Sequence, residues 1–331
     1  MPDLIAAFLF IGVIAYSLLG GADFGAGFWD LTAGGAARGR GPRHLIDTSI
    51  GPVWEANHTW LIYCLVMLWT GFPTAFTAIT TTLYLPLILA ALGIMLRGAG
   101  FAFRKNSLRT PEQRLYGAAF ALSSLLTPYS FGAIAGAIAS GRVPTGGNGD
   151  ALTSWNNPTS VLGGVLAVVV CAYLAAIYLH VAAHRSKEAE VARYFRSRAL
   201  AAALVTGLVS VVGIFILHAD APRLFHQLSH RALALVILAS LSGIAGIVLL
   251  RGARTDVLRQ TAAAAVALIV CGWGVAQYPY LLGTHLTLGA AASPTATLKV
   301  LLGVACAAAV LILPSLVLLF RLAGRGRLDT G

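Results

Sequence analysis

Asp23, Glu55 and His58 stand inside stretches of sequence that are otherwise apolar. Ionisable groups in such stretches are costly if lipid surrounds them, about 3 kcal/mol each on insertion scales, so they mark functional positions by default. Asp23 lies late in the first stretch, within Gly20-Gly21-Ala22-Asp23-Phe24-Gly25-Ala26-Gly27. Glu55 lies early in the second, within Gly51-Pro52-Val53-Trp54-Glu55-Ala56-Asn57-His58-Thr59-Trp60. Tyr16, Gly20, Asp23, Gly27 and Asp30 recur at three and four residues and so share a helical face, where the glycines let another helix approach. Glu55, His58 and Thr59 share a face by the same spacing. Two carboxylates, a histidine and hydroxyls facing a packed interior would make a proton path, with Asp23 and Glu55 as neighbours. The blander reading gives Asp23 a bond to a neighbouring helix and makes Glu55 a cap near Pro52. It leaves Asp30 and Asp47 as solvated or capping groups. A lone histidine beside Glu55 reads as a hydrogen-bonded partner rather than a haem or metal ligand.

These residues need elements that cross a membrane. Of 331 residues, 58% are hydrophobic and 11% charged, against about 25% charged in soluble domains. Apolar stretches of about 20 residues, each able to span the hydrocarbon core, recur from end to end. The expected fold is an all-α polytopic membrane protein with nine transmembrane helices, because strand-like alternation is missing. The spans are Leu4–Phe28, Pro52–Phe72, Ala75–Leu96, Leu115–Ala139, Val161–Ala183, Ala199–Leu217, Ala232–Leu250, Ala262–Tyr278 and Ala296–Leu319. The first reads as a retained helix rather than a cleaved signal, since it lacks a basic leading region.

The charge pattern orients these spans. With the N-terminus outside and the C-terminus inside, inner loops receive all of the 23 Lys and Arg except Arg142, Arg223, Arg231 and Lys299, as the positive-inside rule demands. The net charge of +11 is thus spread over short loops rather than gathered to bind nucleic acid. Connections are short, the Ser140–Pro158 segment with Gly146-Gly147-Asn148-Gly149 among them. Leu96-Arg97-Gly98-Ala99-Gly100 is echoed by Leu250-Arg251-Gly252-Ala253-Arg254, four helices on. The echo fits one membrane domain, 1–331, built from four-helix units at 1–140 and 159–282 plus a final helix at 296–321.

Other polar groups carry weaker signals. Cys64, Cys171, Cys271 and Cys306 sit in apolar segments without metal-site spacing and read as small buried hydrophobes. His180 and His184 are four apart at the inner end of the fifth span, whereas His218, His226 and His230 fall in an outer loop. Trp54 and Trp60 suit an aromatic belt. Arg97 and Arg104 suit headgroup anchoring or a partner's carboxylates.

At these residues the chain resembles the cytochrome bd oxidase subunit II family. Gly21-Ala22-Asp23-Phe24-Gly25-Ala26-Gly27 is similar to that family's glycine-rich Asp motif. Ser49 through Trp60 is similar to its Ile-Gly-Pro-x-Trp-Asp-Gly-Asn-x-x-Trp motif. Phe72-Pro73, Tyr84-Leu85-Pro86 and Leu96 through Arg104 resemble its third helix and arginine-rich exit. Glu55 replaces the usual Asp, Ala56 the Gly after it, and His58 a Gln or Glu, which marks a divergent branch.

The resemblance implies a haem-free subunit paired with a subunit I that carries haem b and haem d and the main quinol-oxidising loop. The complex would oxidise quinol and reduce dioxygen to water in the bacterial inner membrane. Asp23 and Glu55, with His58 beside them, would supply cytoplasmic protons. The motif residues Trp54, Asn57, Trp60, Arg97 and Arg104 would contact a structural quinone or the partner interface. Membrane lipid and a small accessory subunit complete the implied partners; no metal is expected in this chain. The rival function is a proton-coupled transporter with Asp23 and Glu55 binding the coupling ion, although such sites lie at the bilayer midplane on broken helices.

Overall fold

The computed structural model describes residues 1–35, 37–50, 54–106, 110–252 and 255–323; side chains at 50, 101, 102, 104–115, 320 and 323 are outside that description. Helix follows helix: α1 (Pro2–Leu31), α2 (Arg40–Ile50), α3 (Trp54–Gly71), α4 (Pro73–Thr82), α5 (Tyr84–Asn106) and α6 (Thr110–Ala139). Next come α7 (Pro158–Arg185), α8 (Ala189–Asp220), α9 (Pro222–Ser229), α10 (Leu233–Leu249) and α11 (Thr255–Gln277). An antiparallel hairpin, β1 (Tyr280–Leu282) and β2 (Leu286–Thr287), then leads through α12 (Leu288–Ala291) to α13 (Thr295–Ala323).

Among the described residues, six helices are long and apolar enough to cross a membrane: α1, α7, α8, α11 and most of α6 and α13. Two bent pairs, α3 with α4 at 117° and α9 with α10 at 78°, bring the number to eight if each pair is one broken span. Tyr84–Gly100 of α5 is a shorter apolar helix. The expected third span, Ala75–Leu96, is therefore not one helix but two, broken at Leu83. Prolines set these breaks. Pro73 disfavours helical geometry at Phe72, where α3 has just ended, and itself starts α4, since the first turn needs no N–H from it. Pro86 falls in the first turn of α5 for the same reason, and Pro222 restarts the chain after Ala221.

The bundle is organised around α7. Its Val170–Ile177 stretch is buried on every side, as a helix apolar all round its circumference must be. α1, α6, α8 and α11 pack on it, and α1 also meets α3, α6 and α11. Leu45 and Ile46 of α2 join this core, so the basic segment after α1, expected as a plain connection, contains a helix that docks on α7 and α8. A second core at the Met1 end gathers Ile5, Phe72, Ile79, Leu83, Leu282 and Leu298. The Ser140–Asn157 loop folds against α4 there. Gly147, at φ +68°, has Thr81 on its side-chain side, and Gly149 lies against Thr82. Asp150 accepts from the Leu152 and Thr153 amides and closes a turn.

Candidate functional site

The glycine-bearing face of α1 is what admits the polar core. A Cβ on Gly25 would run into the Cys171 carbonyl of α7, and one on Gly27 would strike Ser124 of α6. Close approach lets the Trp29 indole donate to the Ala172 carbonyl at 2.8 Å. Tyr16, Gly20, Asp23, Gly27 and Asp30 do line one inward face, with all but half-buried Tyr16 fully buried.

Asp23 is 4% exposed and Arg97 of α5 is 1% exposed. Arg97 donates through Nη2 to the Asp23 carbonyl at 2.6 Å and through Nη1 to Ser124 Oγ at 2.9 Å. Its guanidinium lies 5.0 Å from the Phe24 ring centre and 4.6 Å from that of Phe120, close enough for cation–π attraction. A buried cation needs both a counter-charge and donors satisfied, and α1 and α6 provide these. On the other side, Asn57 Nδ2 of α3 donates to Asp23 Oδ2 at 2.6 Å. Four helices thus converge on the Asp23–Arg97 pair, the carboxylate itself being bonded by Asn57.

Asp23 and Glu55 were expected to face each other, and they do not. Glu55 is exposed on α3, whereas Asn57 reaches Asp23. Residues two apart on a helix point in roughly opposite directions; with Asn57 turned inward, Glu55 must turn out. Thr59, four residues after Glu55, is exposed on the same side. His58 is half-buried and packs away from Glu55. Its ring centre lies 6.0 Å from Phe24, 6.1 Å from Tyr16 and 6.2 Å from Trp54.

The other motif residues divide. Trp54 packs on the α7 core and under Gly98. Trp60 stands edge-on to Tyr63 at 6.0 Å. The Arg104 side chain and Pro52 lie outside the described residues. Asp30, expected at the surface, is buried and paired with Arg43 at 3.0 Å. Ser124 and Phe120 were not anticipated, although a Ser123-Ser124 pair within an apolar helix is itself a signal, since buried hydroxyls want partners. Among the described residues no cluster of three His, Cys, Asp or Glu is placed to hold a metal. His180 and His184 have ring centres 6.4 Å apart, and His180 Nδ1 is spent on the Ala192 carbonyl.

A sequence family described as cytochrome bd terminal oxidase subunit II matches residues 1–323. The chain belongs to that family. It is accordingly a multi-pass protein of the bacterial inner membrane. Over 170 residues it is 29% identical to cytochrome bd ubiquinol oxidase subunit 2 of Bacillus subtilis (strain 168), covering 51% of this chain and 48% of the relative. Over 222 residues it is 26% identical to cytochrome bd-I ubiquinol oxidase subunit 2 of Escherichia coli (strain K12), covering 63% and 56%. The chain thus spans about half the length of the curated relatives it matches. In fold it is similar to a chain of the bd oxidase from Geobacillus thermodenitrificans, with TM-score 0.76 and 23% identity over 97% of this chain and 98% of that one.

Proposed function

We propose that the chain is the haem-free subunit II of a cytochrome bd-type quinol:O2 oxidoreductase, and that it helps deliver cytoplasmic protons to dioxygen reduction. The observation carrying this reading is the placement of its two motif acids. Asp23 is sealed inside the bundle with Arg97 and Asn57, while Glu55 faces outward from an apolar helix. A carboxylate on that face is favourable when a second membrane subunit covers it with polar groups. The partner is the haem-bearing subunit I, with haem b and haem d; quinol oxidation and oxygen reduction take place there, and this chain alone is not catalytic.

In this assignment Glu55 passes protons across the subunit boundary, and Asp23 and His58 form the reserve behind it. Trp54 holds α3 in place by packing on the α7 core and against Gly98 of α5. The helices run as nine spans, N-terminus out and C-terminus in, with α3, α5 and α10 completing the set. The two four-helix units meet through their first and last members, since α1 and α6 pack on α7, and α11 packs on α1.

Purification from native membranes tests the assignment. The expected result is co-isolation with a haem protein whose difference spectrum shows b- and d-type haem and which consumes oxygen on quinol addition. Isolation of the chain by itself, with solute uptake in liposomes and no oxygen consumption, would instead establish a transporter.

A further inference from the structure

Around Asp23, four buried polar atoms have no hydrogen-bond partner: Tyr16 Oη, Asn57 Oδ1 and both ring nitrogens of His58. They occupy one place. The Tyr16 and His58 ring centres are 6.1 Å apart, Phe24 lies between 6.0 and 6.4 Å from both, and Asn57 is fastened to Asp23 at 2.6 Å. The buried serine and threonine hydroxyls elsewhere can turn to a carbonyl of their own helix. A phenol, an imidazole and a side-chain amide oxygen cannot.

The group also matches itself chemically. A neutral imidazole offers one donor and one acceptor, a phenol offers both, and Asn57 Oδ1 accepts. An internal water needs two to four such partners and is the usual means by which buried polar atoms are satisfied. Among the described hydrogen bonds, the Asp23 carboxylate reaches Asn57 and none joins it to His58.

We propose that Tyr16, Asn57 and His58 bind a small cluster of internal water molecules beside Asp23, and that this cluster is the hydrogen-bonded link between the Asp23 carboxylate and the His58 imidazole. Its role rests on the proton-supply reading; its existence does not. A proton entering at one end is matched by one leaving at the other. Each water oxygen forms one O–H bond as it breaks another, so nothing is oxidised or reduced. The aromatic walls of Tyr16, Phe24 and Trp54 keep the cluster small and apart from the lipid.

The test uses the complex purified from native membranes. A map good enough to show ordered water should place density at hydrogen-bond distance from Tyr16 Oη, Asn57 Oδ1 and a His58 nitrogen. A dry site, or these atoms bonded directly to one another, overturns the proposal. Redox-triggered infrared difference spectra in 18O-labelled water should show isotope-shifted water bands. His58→Leu and Tyr16→Phe should lose them, with quinol-driven oxygen consumption falling about tenfold in His58→Leu, whereas His58→Gln, which still bonds water, should keep them. Unchanged bands and rate in His58→Leu likewise overturn it. A preparation that consumes no oxygen refutes the oxidase assignment instead, and the map then decides the water site independently.

Discussion

Arg97 spends its hydrogen bonds on the Asp23 carbonyl and Ser124, and the buried Asp23 is the acid beside it. Removing one member of such a buried pair strands the other, at a cost of about 3–5 kcal/mol. Arg97→Leu is therefore expected to lower the thermal midpoint of the purified protein sharply. The Asp23→Asn/Arg97→Leu double variant should be less destabilised than the sum of the singles, and a double-mutant cycle on denaturation midpoints measures this. The same coupling makes Asp23 a poor position for an activity assay, because loss of turnover there mixes with loss of structure. Glu55 is the cleaner position, being exposed on α3. Glu55→Gln should leave expression and haem spectrum unchanged while slowing quinol-driven oxygen consumption by about tenfold or more. Wild-type turnover in that variant would take Glu55 out of proton delivery.

Between elements, the decisive contact is α1 against α7, where backbone meets backbone at Gly25 and Cys171. Gly25→Val should push the two helices apart and sharply reduce the folded protein recovered from membranes. Trp29→Phe, losing the bond to the Ala172 carbonyl, should cost about 1 kcal/mol; denaturation midpoints order the two. Much of this level was legible in the sequence. Periods of three and four residues marked the inward face of α1, and apolar length found the long helices α1, α6, α7, α8, α11 and α13. What escaped was set by partners rather than by pattern. Hydropathy does not register the break at Leu83, because Thr80-Thr81-Thr82 before it carry no charge and the stretch after it is apolar. It also passes over α2, whose buried Leu45 and Ile46 sit in a basic segment. The hairpin is held from outside its own sequence, by Arg223 on Tyr280 and the Gly283 carbonyl and by Arg231 on Tyr278. Spacing placed Glu55 and Asp23 on adjacent helices but could not fix the rotation of α3, which Asn57 decides.

Over the whole molecule, the arginines assigned to the outer side are largely occupied. Arg142 grips Asp220 at 2.6 Å, and Arg223 and Arg231 hold the hairpin. Many of those assigned to the inner side, such as Arg193, Arg196 and Arg251, are exposed. Single cysteines placed at Lys299 and at Arg321, in a background lacking the four natural ones, should react with a membrane-impermeant thiol reagent from the outer and inner sides respectively. Reversed labelling would invert the assigned orientation. The reach of Arg97 across 74 residues to Asp23 bears on how the protein is made. At a synthesis rate of about 5–20 residues per second, the first helix exists for seconds before its cation has been translated, and Asn57, only 34 residues on, arrives earlier. During that interval an acid sits on a nascent membrane segment without its eventual companion. That acid costs the lone helix about 3 kcal/mol in lipid, so a ribosomal pause before α5 emerges should lengthen the time this chain is open to quality-control proteolysis.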